Sequence, residues 1–193
     1  MPSTTRSVAA ALLAAALLVA TPGVSPAATT QAAPVEDYAD YQPQTKCAKK
    51  AKPGTRLLGR WLVRRGGDGG PTTRPCRSGG TSEHKDGRAF DWMLDARRKQ
   101  DRRVAREFLE YAFATDADGN EHAIARRMGI MYVIWNDRMY SAWDRFKREK
   151  YLSSSCKRRK KCSATLRHRN HMHISLSKAG ARGQTSWYAA RLP

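Results

Sequence analysis

Four of the five histidines in this 193-residue chain fall in two short segments. The first reads Ser82-Glu83-His84-Lys85-Asp86-Gly87-Arg88-Ala89-Phe90-Asp91-Trp92, and the second His168-Arg169-Asn170-His171-Met172-His173-Ile174-Ser175-Leu176-Ser177. In the second, Met172, Ile174 and Leu176 alternate with His171, His173 and Ser175. A strand sends alternate side chains to opposite faces, so the apolar three point to a core and the two histidines share the other face, about 7 Å apart at Cα. Two such imidazoles can bind one metal, or divide into a ligand and a base. In the first segment Gly87 permits a turn between His84 and a strand carrying Asp91. Two histidines, one carboxylate and a water make a common catalytic zinc set, with the fourth position open for a polarised water. His84, Asp91 and His173 fill that set. His171 is then placed to accept the proton of the water and pass it to the leaving amine. His168, in an expected turn, is placed to orient His171 or to hold an oxyanion. The competing reading is that a lone H-x-H marks nothing and that each histidine is a surface or hydrogen-bonded residue. Asp86 and Glu83 are rival carboxylates, expected to face solvent.

The elements around these segments predict an α+β fold, a small, mostly antiparallel sheet with helices packed against it. Residues 56–65 read as a short helix. Residues 66–80, with six glycines and two prolines, read as a loop. Phe90 and Trp92 alternate with Ala89 and Asp91 over a strand at 88–95. Residues 101–115 carry Val104, Phe108, Leu109, Ala112 and Phe113 on one helical stripe, and a turn at 116–120 leads to a helix over 121–127 that stops at Gly129. I-M-Y-V-I-W at 130–135 is strongly β-prone, Asn136-Asp137 makes a hairpin turn, and 138–143 returns. Residues 172–177 form the last strand. Trp92, Tyr132 and Trp135 read as core residues.

Lys and Arg number 36 against 17 Asp and Glu, for a formal charge of +19, which points to a polyanionic neighbour without naming it. The aromatic residues lie in periodic segments, which excludes a chain disordered throughout. No heptad, G-X-Y or longer repeat occurs, and the single long apolar run excludes a polytopic membrane protein. That run, Val8–Ala20, follows Arg6 and precedes small residues and prolines, so residues 1–27 read as a secretory signal peptide cleaved after Ala27. Residues 28–46, rich in Ala, Thr, Gln and Pro, read as a flexible linker, and 47–193 as one domain. In an exported protein four cysteines suggest disulfides, and Cys156–Cys162 with Cys47–Cys76 is the preferred pairing of three. A cysteine zinc site competes, but no C-x-x-C pair is present.

S-E-H-K-D-G-R-A-F-D resembles the S-x-H-x-x-G-x-A-x-D signature of D-alanyl-D-alanine metallopeptidases, within the superfamily of lysostaphin-type enzymes, D-Ala-D-Ala peptidases and hedgehog domains. H-x-x-H-x-H at 168–173 resembles the penicillin-insensitive murein endopeptidase branch. The resemblance implies a hedgehog/D-Ala-D-Ala-peptidase-like fold, Zn2+ held by His84, Asp91 and His173, and His171 at the base position. A more similar group comprises secreted proteins mostly described as hypothetical, which share S-E-H-K-x-G-R-A-x-D-W, A-x-A-R-R-x-G-I-M-Y-x-I-W-N (here 123–136) and a final H-x-H strand. The carboxypeptidase branch carries E-x-x-H before the last ligand, with Glu as base; this chain has Asn170 there. Arg74 is the nearest candidate for a substrate-carboxylate arginine, and Ser82 a second candidate contact.

The expectation is a secreted zinc-dependent peptidase that hydrolyses peptidoglycan stem or cross-link peptides. The alternatives are a non-catalytic cell-wall or metal-binding domain, and an extracellular nuclease. The nuclease lacks a convincing phosphate-binding constellation. Residues 145–169 hold eleven Lys or Arg and one acid, Glu149. Five consecutive basic residues, Lys157–Lys161, would be displayed by a Cys156–Cys162 bridge as a cationic loop for anionic wall polymers, with nucleic acid the less favoured partner.

Overall fold

A computed structural model describes Met1, residues 34–189, Arg191 and Leu192. Apart from Met1, the signal peptide expected over 1–27 lies outside the described residues, as does the first part of the expected linker.

The described chain folds as α+β. The elements run α1 (Pro53–Val63), β1 (Asp68–Gly69), β2 (Ala89–Met93), α2 (Lys99–Phe113), α3 (Ala123–Arg127), β3 (Ile130–Trp135), β4 (Arg138–Ser141), β5 (Glu149–Lys150), β6 (Met172–Leu176), α4 (Lys178–Arg182) and α5 (Ser186–Ala189). One-turn 3-10 helices lie at Ala142–Asp144 and Arg159–Lys161. The six strands form one antiparallel sheet in the order β1-β2-β6-β3-β4-β5. The last strand in sequence therefore enters between β2 and β3, and it is this insertion that carries the second histidine segment to the first.

Alternation assigns the two faces. Phe90 and Trp92 of β2, Val133 and Trp135 of β3, and Met172, Ile174 and Leu176 of β6 belong to one buried cluster with helix residues Leu58, Trp61, Leu62, Val104 and Phe108. Leu58, Trp61 and Leu62 sit at helical spacing on α1, which opens with Pro53, a residue suited to the first turn because its missing N–H has no partner there. The other face of β2 and β6 carries Asp91, directly opposite His173. Between Ile130 and Tyr132 the β3–β6 register slips: Ile130 faces Leu176, while Tyr132 faces Ser175. The extra residue of a bulge exchanges faces. It leaves Ile130 with the core and turns Tyr132 and Ile134 toward the histidine side.

The Asn136-Asp137 turn has φ of 46° and 61°, the two positive values of a tight hairpin turn. This tip also holds the loop before β6. The Asn136 amide donates to the His168 carbonyl at 2.7 Å, and Arg167 pairs with Asp137 through two 2.8 Å bonds.

Residues 34–46 have no helix or strand, yet they do not behave as the expected linker. The Glu36 carboxylate accepts from the Ser186 amide and hydroxyl at the start of α5, and its carbonyl accepts from Arg126 Nε at 2.6 Å. Tyr38 and Ala39 pack on the core, and the Gln42 amide meets Met131 Sδ at 3.2 Å. Apolar contact and satisfied backbone groups tie this stretch down, which its composition concealed. Both disulfides are formed as paired above, Cys47–Cys76 and Cys156–Cys162. They suit an oxidising, extracellular environment. Among the described residues, no helix is long and apolar enough to cross a membrane.

Candidate metal centre

The turn before β2 delivers His84. Within it the Lys85 amide donates to the Ser82 carbonyl, the Gly87 amide to the His84 carbonyl, and the Arg88 amide to the Glu83 carbonyl. Gly87 lies at φ +75°, and a Cβ there would stand 2.6 Å from the Lys50 carbonyl oxygen. Gly87→Ala combines that clash with a left-handed backbone, so it is expected to cost about 1–3 kcal/mol, read as a lower urea midpoint.

The charged residues of the motif build the turn. Arg88 is 2% exposed. Its Nε donates to Asp86 Oδ2 at 2.7 Å, Nη1 to the Leu176 carbonyl at 2.9 Å, and Nη2 to the Gln42 carbonyl at 2.6 Å. Lys85 Nζ donates to the Ser78 and Gly80 carbonyls. Glu83 and Asp86, expected at the surface, are buried at 3% and 7% exposure. Each has a partner: Arg88, two residues on, for Asp86, and the distant Tyr132 hydroxyl, which donates to Glu83 Oε2 at 2.6 Å.

Three donor atoms converge on one point. His84 Nε2 lies 3.1 Å from Asp91 Oδ1 and 3.2 Å from His173 Nδ1, and His173 Nδ1 lies 3.0 Å from Asp91 Oδ1. His84, Asp91 and His173 can therefore hold a metal ion. Tetrahedral bonds of about 2.0–2.1 Å separate their donor atoms by slightly more than these distances. Protonation also fits. Burial lowers the His84 pKa, against the pull of Asp91. Burial alone would raise the Asp91 carboxyl, but hydrogen bonds from His173 and His84 hold it well below the usual carboxylate range. A neutral imidazole and an ionised carboxylate are the forms that bind metal. Outside the triangle, His173 Nε2 sits 2.8 Å from Ser175 Oγ, a contact that fixes the ring with Nδ1 inward. Tyr132 stacks on His173 at 5.5 Å between centroids.

His171 stands beside the triangle, its Nε2 3.7 Å from Asp91 Oδ1. Its Nδ1 lies 2.9 Å from Asn170 Oδ1, and Asn170 Nδ2 donates to Thr165 Oγ1 at 3.0 Å. In this arrangement Asn170 Oδ1 is placed to accept the His171 Nδ1 proton, the tautomer that leaves the Nε2 lone pair open. Burial lowers the His171 pKa, with Asp91 opposing and His173 reinforcing. His168 packs 4.7 Å from His171 and 5.1 Å from Tyr151, and burial, reinforced by the neighbouring His173 and His171, pushes its pKa down to about 2.

Residues 47–160 match the family described as VldE, C-terminal domain. The chain belongs to the VldE C-terminal domain family. The VldE match covers more than half the chain, including Glu83, His84, Asp91 and Tyr132, and it ends before His168, His171 and His173. No curated protein and no solved structure matches the chain significantly.

In this VldE-family chain, the structure thus brings together five of the sequence-derived site residues: His84, Asp91, His173, His171 and His168. Arg74 is exposed on the neighbouring loop, where its amide donates to the His84 carbonyl at 3.2 Å and its charge acts on both His84 and His171. Ser82 is held by its amide on Gln44 Oε1 and by its carbonyl on Lys85, and neither contact reaches the three donor atoms. Sequence reasoning missed Asn170, Ser175 and Tyr132 as supports. Ser175 was legible in the alternation after His173; Tyr132 was not, because the bulge moves it from the core face.

Proposed function

We propose that the protein is a secreted zinc-dependent peptidase that cleaves peptide bonds in peptidoglycan stem or cross-link peptides. The carrying observation is the placement of His171 Nε2, 3.7 Å from Asp91 Oδ1, beside the converged donor atoms of His84, Asp91 and His173. Zinc is the ion that two imidazoles and one carboxylate favour, and when bound it supplies Lewis acidity and a water of lowered pKa. His171, neutral and with a free Nε2, takes the proton of the attacking water and returns it to the leaving amine. Asn170 holds the tautomer that this step requires, in the place where the carboxypeptidase branch has a glutamate. His168 packs against His171 and limits its rotation. Arg74 is available for a substrate carboxylate.

The reading draws on the motif likeness to D-alanyl-D-alanine metallopeptidases and includes their hedgehog/D-Ala-D-Ala-peptidase-like fold. It includes a second surface, the exposed Lys157–Lys161 loop closed by Cys156–Cys162, which would hold anionic wall polymers near the substrate.

The test is cleavage of purified stem and cross-linked muropeptides by the zinc-loaded chain, followed by mass spectrometry. His171→Ala is expected to lower kcat by about 10²–10⁴-fold while the zinc content stays as in the wild type. Unchanged cleavage in that variant would remove His171 as the base. Intact muropeptides with zinc bound would leave a non-catalytic metal-binding domain.

A further inference from the structure

Of the five tryptophans, Trp61, Trp92, Trp135 and Trp187 are each at most 8% exposed, whereas Trp143 is 42% exposed. Trp143 belongs to the one-turn 3-10 helix after β4. Its ring meets Tyr132 edge-on at 6.0 Å, and Tyr132 is the ring stacked on the metal-site His173. On its other side Trp143 meets Tyr41 at 5.4 Å, and Tyr41 is 51% exposed. An aromatic wall thus runs from the metal centre to solvent through Tyr132, Trp143 and Tyr41. Its outer two rings come from separate parts of the chain, and Tyr41 belongs to the N-terminal segment strapped onto the domain. Exposed aromatic rings in contact with one another mark a binding surface more often than isolated apolar residues do.

The chemistry around the wall narrows its ligand. Asp40 and Asp144 adjoin the two exposed rings in sequence, and the buried Glu83 carboxylate acts on Tyr41, raising its hydroxyl pKa after burial itself. These charges are largely offset: Asp144 pairs with Lys147 and Arg145 with Glu121, the Glu83 carboxylate accepts from the Tyr132 hydroxyl, and Arg88 opposes Glu83 at Tyr41. A wall whose neighbouring charges are largely paired already offers little to a phosphodiester backbone, whose charges need basic contacts. A neutral ring with a C–H face suits it, because the electron-rich face of an aromatic ring attracts the positive edge of its partner. Pyranose rings have that face.

We propose that Trp143 and Tyr41 form a sugar-binding subsite that seats the glycan strand to which a stem peptide is attached. The inference rests on the peptidase reading for its orientation: the glycan lies on the aromatic wall while the peptide crosses the metal centre. The subsite makes the protein select glycan-linked peptide over free peptide.

The test uses a ligand with no peptide. The zinc-loaded full chain is titrated with a soluble oligosaccharide of N-acetylated amino sugars, with binding read by calorimetry and by tryptophan fluorescence. Wild type is expected to bind, and Trp143→Ala to weaken binding by about tenfold. Tyr41→Ala should produce a smaller loss. Zinc content and urea midpoint are measured on both variants to confirm that the domain is folded. Absence of binding by wild type overturns the subsite, as does equal affinity in a folded Trp143→Ala. Competition by a single-stranded oligonucleotide that depends on Trp143 would overturn it in favour of nucleic acid. Because no bond is cut in this experiment, its failure leaves the muropeptide assay to decide the peptidase reading separately.

Discussion

The double variant His84→Ala/His173→Ala is expected to purify without metal, where the wild type carries about one zinc ion per chain. Elemental analysis of dialysed protein reads the result. Two of the three converging donors are gone in the variant, and a lone carboxylate among alanines holds no zinc against dialysis. Thermal unfolding gives a second reading. Zinc at a hundred times its dissociation constant stabilises a folded site by about 2.7 kcal/mol, so added zinc should raise the wild-type midpoint and leave the variant unmoved. Equal metal content in the two proteins would show that the ion is held elsewhere. Asp91→Asn tests the third arm. It keeps the shape and removes the charge, and its affinity should fall between the other two.

Arg88→Met is expected to have the largest effect on stability. The methionine preserves much of the aliphatic stem and removes three charged hydrogen bonds at once. Asp86 then remains buried without the guanidinium, and the carbonyls of Leu176 and Gln42 lose their donors. Breaking a buried pair by removing one partner costs about 3–5 kcal/mol. A small domain has about 5–15 kcal/mol in total, so a large share of the native stability should be lost. Chemical denaturation followed by circular dichroism measures this as a reduced midpoint. Asp86→Ala on the same background should recover part of the loss, because it removes the stranded charge. If Arg88→Met unfolds at the wild-type midpoint, the turn does not depend on that network.

These two experiments separate two roles inside one motif that the sequence presents as a single run. S-E-H-K-D-G-R-A-F-D suggested His84 and Asp91 as ligands from their residue types, the turn that Gly87 permits and the resemblance of the motif, and the cross-strand pairing of Asp91 with His173 agrees with that choice. The alternation at 171–176 likewise placed the two histidines on one face, because the period of a strand is visible in any apolar pattern. What remained hidden depended on partners distant in the chain. Glu83 looked like a surface carboxylate because its partner Tyr132 is far along the chain, and Asp86 did because its neighbour Arg88 is drawn into the interior only by the distant Leu176 and Gln42 carbonyls. Tyr132 looked like core because a bulge leaves no mark in a run of six apolar or aromatic residues. Helix α4 was missed although Ser177 caps it, accepting from the Gly180 amide, and Gly183 closes it at φ +78°. Five residues are too few for an apolar stripe to register, but the serine and the glycine were readable as start and stop.

The N-terminal strap has a consequence for where this domain begins. Similarity to the VldE family starts at Cys47. A chain trimmed there would retain every metal donor and both disulfides. It would also lose the Glu36 cap on α5, the Tyr38 ring on the core and the Gln42 carbonyl that completes the Arg88 network. Recurrence among relatives and mechanical integrity therefore draw different borders on the same polypeptide. The residues just upstream of the shared region act as a girth around it, so an expression tag or fusion partner belongs before Glu36 rather than before Cys47.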